Sequence, residues 1–340
     1  MNREQLIETA RRMVASGKGL LAADESTGTI EKRLNAVGVE STEENRRAYR
    51  NLLFTAPEIE NYISGVILFD ETIRQKGADG TPFPTLLDRR GILPGIKVDK
   101  GAKVLAGHPD EKVTEGLDGL RERFAEYYEL GARFSKWRAV ITIGPDMPSA
   151  ACVGANAHAL ARYAALAQEA GIVPVVEPEV LINGDHDLET CEATSNRTLE
   201  RVFAELKEQD VLLEGMVLKP SMVIAGKEAS RQASVEEVAE ATLRCLRRHV
   251  PAAVPGIAFL SGGQSPEQAT AHLNAMNRRG PQPWEVTFSY ARALQNPVLE
   301  TWRGNADQAE AAARAFTFRA RLNHLARAGE YEPSLEREAA

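Results

Sequence analysis

Lys219 closes the run Met216-Val217-Leu218-Lys219-Pro220, a primary amine that follows apolar residues with no carboxylate beside it in the chain. Burying an ammonium is costly, so such a setting favours the neutral amine. A neutral amine attacks a carbonyl carbon and forms a Schiff base. The same pattern, a charge at the end of a short apolar run, recurs at Asp24, Lys97, Lys136 and Glu177. The recurrence points to an active site assembled from several strand ends.

The elements that must position these residues follow from the hydrophobic pattern. Candidate strands cover 19–24, 62–70, 95–99, 132–140, 172–179, 212–219, 256–261 and 285–289, separated by amphipathic stretches. Many of these runs are continuously apolar rather than alternating, as in parallel strands covered by helices. Eight of them in βα alternation favour a single-domain (β/α)8 TIM barrel. A doubly wound sheet, the alternative, calls for a Gly-rich turn after the first strand; the chain has Asp24-Glu25-Ser26-Thr27-Gly28 there. Ser41-Thr42-Glu43-Glu44 and Ser234-Val235-Glu236-Glu237 read as capping boxes. Ser265-Pro266 starts a further helix, with Gly280 beyond its end and Ala269, His272, Leu273 and Met276 on one face. Thr81-Pro82-Phe83-Pro84 reads as a loop within the second crossover. No linker or repeat divides the chain, so 1–340 is expected to form one domain, with an N-terminal helix and a short C-terminal tail.

In a barrel, side chains at the carboxyl ends of the strands enter the mouth. That brings together Asp24, Lys97, Lys136 with Arg138, Glu177 with Glu179, and Lys219. Residues two apart on a strand share a face at ~6.6 Å, which sends Trp137 and Pro178 to the other side. Two neighbouring carboxylates can divide acid and base roles. For any one of these charges a structural ion pair is the competing explanation, and for Arg138 it is the leading one. Leu260-Ser261-Gly262-Gly263-Gln264 and Ser289-Tyr290-Ala291-Arg292 follow the seventh and eighth strands, the usual phosphate site of barrel enzymes. Lys32 and Arg33 are candidates for a second phosphate contact, against a solvated helix face. Asp185-His186-Asp187 is the only His-carboxylate cluster, and a turn or helix cap explains it better than a metal.

The chain has 340 residues, a formal net charge of -7, 43% hydrophobic and 26% charged residues. No basic field speaks for nucleic acid, and no apolar run reaches the ~20 residues of a membrane span. The polar N-terminus lacks a signal core. Cys152, Cys191 and Cys245 are too few and too far apart for a disulfide framework. A cytoplasmic enzyme with reduced thiols is expected.

With these residues in view, the chain resembles the class I fructose-1,6-bisphosphate aldolases over nearly its whole length. The stretches that carry the resemblance are 20–28, 65–69, 95–101, Lys136-Trp137-Arg138, Val175-Val176-Glu177-Pro178-Glu179, Leu218-Lys219-Pro220, 259–264 and Thr287-Phe288-Ser289-Tyr290, in the family's order. The resemblance implies reversible cleavage of fructose 1,6-bisphosphate to dihydroxyacetone phosphate and glyceraldehyde 3-phosphate in glycolysis and gluconeogenesis. It implies no metal and no cofactor, phosphorylated ketose and triose substrates, and a homotetramer. By the same resemblance Lys219 is the Schiff-base lysine, Glu177 the acid/base that expels water from the carbinolamine, and Asp24 the base for the C4 hydroxyl. Lys136 and Glu179 position and tune these groups. Ser261, Gly262, Gly263, Ser289 and Arg292 form one phosphate pocket; Ser26, Arg33 and Lys97 form the other.

Two departures stand out. Ala291 replaces a glycine common in the family, so its Cβ could crowd a phosphate. Animal-type members end in a tyrosine that assists proton exchange at the enamine; here the last tyrosine is Tyr331. Slower enamine protonation, by Glu177 or by the substrate's phosphate, is the expectation. Competing readings are a Schiff-base aldolase for another sugar phosphate, a barrel kept as a scaffold, and a metal-dependent aldolase.

Overall fold

The computed structural model describes residues 2–339; Met1 and Ala340, part of the expected 1–340 domain, lie outside the described residues. Among the described residues ten strands form: β1 (Gly19–Ala23), β2 (Ile63–Leu68), β3 (Leu93–Lys97), β4 (Ala102–Leu105), β5 (His108–Thr114), β6 (Phe134–Ile141), β7 (Val173–Val180), β8 (Val217–Leu218), β9 (Gly256–Phe259) and β10 (Glu285–Tyr290). Eight of them close a parallel barrel in the order β1-β10-β9-β8-β7-β6-β3-β2. Helices pack outside it, and the (β/α)8 expectation holds.

Alternation along each strand divides the apolar residues between two cores. Trp137, Ile96, Val176, Leu218, Phe259 and Phe288 join the outer core beneath the helices. Leu20, Ala22, Ile67, Leu93, Phe134, Val173, Val175, Val217 and Ala258 fill the barrel interior. Phe134 takes so much of that space that a methyl at Gly65 or Gly95 would overlap its ring. Leu6, Ala10 and Met13 of the helix Arg3–Met13 join the same inner cluster. The N-terminal helix therefore stoppers the barrel floor, and polar residues are left for the opposite end.

Local signals set the boundaries. Ser234 and Ser265 make capping boxes with Glu237 and Gln268. Thr42, by contrast, caps its helix through the Asn45 N–H, so Ser41–Glu44 does not form a box. Proline at 84 suits a first helical turn, and Phe83–Arg89 is a short helix rather than part of a loop. The expected sixth strand, 212–219, shrinks to β8. The Gln168 amide binds both the N–H and the C=O of Leu212, which takes that backbone out of the ladder. A 3-10 turn follows at Leu213–Gly215, and Pro220 has no N–H to extend pairing. The antiparallel hairpin β4–β5 has no counterpart among the expected strands; its outer positions are polar, so no apolar run announces it.

Candidate active site

Twelve of the thirteen sequence-predicted site residues line one cavity of about 470 Å³ at the carboxyl ends of the strands: Asp24, Ser26, Arg33, Lys97, Lys136, Glu177, Glu179, Lys219, Ser261, Gly262, Ser289 and Arg292. Gly263, the thirteenth, lies in the same loop as Ser261 and Gly262. Arg138 and Lys32 line the cavity as well.

Parallel pairing brings the centre together. The register sets Lys97 of β3 beside Lys136 of β6, and Arg138 beside Glu177 of β7. Lys136 Nζ lies 2.7 Å from Asp24 Oδ2 and 3.2 Å from Glu177 Oε2. Lys219 Nζ lies 3.1 Å from Glu177 Oε1. The carboxylate-free surroundings expected for Lys219 are thus not found. The chain folds a glutamate from the neighbouring strand against it, which linear sequence cannot display. Lys219 and Lys136 are each only 3% exposed.

Charge states follow from this geometry. Burial favours the neutral form of Asp24, but Lys136, Lys219 and Lys97 outweigh it and hold the carboxyl far below its ordinary pKa. Burial likewise opposes the Glu177 charge, and Lys136, Lys219 and Arg138 prevail, lowering its pKa. For Lys136, burial disfavours the ammonium while Asp24, Glu177 and Asp99 hold its pKa well above the ordinary lysine value. Lys136 is therefore locked as a cation between two carboxylates, whereas Lys219 has a single carboxylate contact. Glu177 and Glu179 do not share one environment: Glu179 is taken by Arg138 Nε in an ion pair. Burial weighs against the Arg138 charge, yet Glu179 raises its pKa.

The two candidate anion pockets differ in how their cations are engaged. At the first, Gly262 and Gly263 have φ of +56° and +91°, the left-handed region that glycine enters freely. That lets successive backbone N–H groups face one anion. His272 donates from Nδ1 to Gln264 Oε1, and Gln264 Nε2 donates to Ser261 O at 3.0 Å, bracing the loop. Ser289 Oγ is buried without a partner among the described residues. Ala291 begins the helix Arg292–Trp302 with no side-chain cap, at φ -106°. With ψ at -85° this lies outside the regular helical and extended regions, and the residue packs against the inner apolar cluster. Burial, Arg33 and Arg138 lower the Arg292 pKa, against the pull of Glu179.

At the second pocket the cations are already paired. Lys97 Nζ donates to Asp99 Oδ1 at 2.7 Å and to Asp99 O at 2.9 Å, and Arg33 is bound to Glu25. Ser26 begins the helix Thr27–Ala36 with no side-chain cap bond, so a helix N-terminus faces this pocket.

Sequence reasoning missed the supporting layer. Glu25 binds Arg33, Arg50 and Gln295 Nε2, the last at 2.8 Å. Gln295 also donates to Ala22 O and accepts from Tyr49 OH at 2.9 Å. This buried network fixes the end of β1 on either side of Asp24. Glu25 was visible as the neighbour of Asp24, but Tyr49, Arg50 and Gln295 come from distant helices and carry no local signal. Asp187 caps the helix Leu188–Glu208 by accepting from Thr190 N at 2.8 Å, the role expected for it over metal binding. Among the described residues, no helix is long and apolar enough to cross a membrane.

A buried amine beside carboxylates, with basic side chains and a glycine loop around it at the mouth of a (β/α)8 barrel, is an arrangement that can do carbonyl chemistry on an anionic molecule. Comparison with known proteins narrows the class. A family model described as fructose-bisphosphate aldolase class-I matches residues 5–340. A probable fructose-bisphosphate aldolase class 1 of Xanthomonas campestris is 60% identical over 333 residues, 98% of this chain and 100% of the relative. Fructose-bisphosphate aldolase 6, cytosolic, of Arabidopsis thaliana is 52% identical over 330 residues, 97% and 92% of the two chains. The solved aldolase of Plasmodium falciparum, in complex with TRAP and an inhibitor, superposes with a TM-score of 0.96 at 48% identity, covering 97% of this chain and 95% of that one. The chain belongs to the class I fructose-bisphosphate aldolases, lyases that work without a metal.

Proposed function

We propose that this chain cleaves fructose 1,6-bisphosphate reversibly through a Schiff base on Lys219. The observation that carries the reading is the asymmetry between the two buried lysines: Lys136 is clamped by two carboxylates, while Lys219 touches one. Glu177, 3.1 Å away, takes a proton from Lys219; the free amine attacks C2 and passes a second proton to the C2 oxygen, and Glu177 then returns its proton to the carbinolamine hydroxyl, which leaves as water to give the iminium. Asp24 takes the C4 hydroxyl proton as the C3–C4 bond breaks. The bonding electrons move onto C3 and are held as an enamine by the former iminium. Glyceraldehyde 3-phosphate leaves, C3 is protonated, and water releases dihydroxyacetone phosphate. Lys136 holds Asp24 and Glu177 in position, and Arg138 does the same for Glu179.

C1 is bonded to C2, so its phosphate belongs nearest Lys219, at the pocket of Ser261, Gly262, Gly263, Ser289 and Arg292; β9 is the strand paired with β8. The C6 phosphate then falls to Ser26, Arg33 and Lys97. Tyr331 OH is bound to Glu336 Oε1 at 2.8 Å and the residue is buried, which supports assigning the C3 proton to Glu177 or the substrate's phosphate. A cytosolic homotetramer, acting as one domain over 1–340, completes the reading; the description of the Arabidopsis relative as cytosolic supports its location.

Borohydride reduction with dihydroxyacetone phosphate, followed by peptide mass mapping, tests the assignment. The expected adduct is on Lys219, and it is absent from a folded Lys219→Ala variant. An adduct confined to Lys136 or Lys97 refutes it.

A further inference from the structure

We propose that Lys227 is a further phosphate-binding residue, reaching from the loop after β8 to the pocket at the ends of β9 and β10. It deepens the reading above and rests on that pocket being the C1 phosphate site. A methyl group placed on Gly263 would lie 3.0 Å from Lys227 Nζ and 3.3 Å from Arg292 Nη2. Two cations from different loops therefore converge on the same turn of the glycine loop. Lys227 Cε lies 3.3 Å from that same point, so the stem as well as the amine runs along the glycine backbone.

The position is built, not incidental. Lys227 N donates to Ile182 O at 2.9 Å, and Gly226 N to His186 O at 2.8 Å. A methyl at Gly226 would collide with the Gly184 carbonyl, so only glycine lets these two loops zip together. The neighbouring Glu228 carboxylate is turned away and accepts from Gly184 N at 2.6 Å. No carboxylate among the described residues pairs with the Lys227 amine, whereas Lys97 and Arg33 of the other pocket are both ion-paired. Lys227 is exposed, so water screens its attraction for an arriving phosphoryl group, but no ion pair among the described residues has to be broken to gain it. Lys227 thereby tightens the C1 end of the site and sets its preference for a phosphorylated over an unphosphorylated ketose.

The test compares wild type, Lys227→Met and Lys227→Arg. Binding of inorganic phosphate is read by calorimetry, and steady-state cleavage by KM and kcat. Loss of one charge-assisted contact predicts roughly tenfold weaker phosphate binding and a KM for fructose 1,6-bisphosphate raised by about the same factor. The larger share of the loss falls on KM, and Lys227→Arg recovers most of it. Borohydride trapping of unphosphorylated dihydroxyacetone changes far less than trapping of its phosphate. Unchanged phosphate binding in Lys227→Met overturns the proposal, as does an equal loss with dihydroxyacetone and its phosphate, which would mark a purely structural loop. A wild type that cleaves no bisphosphate while its phosphate binding still depends on Lys227 refutes the aldolase reading and leaves this one standing.

Discussion

Replacing Lys136 by methionine isolates the electrostatics of the centre. The variant keeps the stem's volume and removes the charge 2.7 Å from Asp24 and 3.2 Å from Glu177. Glu177 retains Lys219 at 3.1 Å, so the burden falls on Asp24, which has no other ion pair among the described residues. The cheapest relief is for Asp24 to take up a proton. From an ordinary carboxyl pKa near 4, that costs about 4 kcal/mol at pH 7 and about 1.5 kcal/mol at pH 5. The first figure falls within the roughly 3–5 kcal/mol for breaking a buried pair. Urea denaturation of wild type and Lys136→Met at both pH values should show the deficit shrinking by roughly 2–3 kcal/mol on acidification. A Lys136→Met, Asp24→Asn double variant should recover most of the deficit at pH 7. A deficit that is the same at both pH values, or no recovery in the double variant, would refute the picture of a cation clamped between two ionised carboxylates.

Two other outcomes are expected. Ser289→Ala removes a buried hydroxyl that has no protein partner among the described residues; thermal stability should stay within about 1 kcal/mol of wild type or rise, while KM for the bisphosphate increases several-fold. Burial lowers the His272 pKa to about 4, below the ~6.5 of an unfolded histidine. The unfolded chain therefore gains a proton in this window and the folded chain does not. Stability should fall by up to about 3 kcal/mol as the pH drops from 6.5 to 4, and a His272→Gln variant should lose that part of the slope in urea titrations.

The barrel was legible because each strand core is short, apolar and separated by a helix, and because barrel sterics dictate where strand-end charges go. That logic gathered Asp24, Lys136, Glu177 and Lys219 into one mouth before any coordinate was known. It failed on pairwise contacts. Nothing near Lys219 in the chain announces Glu177, since cross-strand register is a property of the closed sheet. Tyr49, Arg50 and Gln295 were invisible for a similar reason: their role is to hold Glu25, and a buried polar side chain on a helix looks like any other. Lys227 follows the apolar run Met222-Val223-Ile224-Ala225, but that run forms neither strand nor helix, and the place of the lysine depends on a glycine contact between two loops. The hairpin β4–β5 escaped because its polar exposed face imitates a loop.

Side chains packed through the barrel interior, closed below by the N-terminal helix, leave the central amines open only towards the rim. Whatever reaches the central amines arrives past the rim and must depart over the same rim. Under the proposed Schiff-base route, the untethered product clears that rim before water frees the half still bound to Lys219.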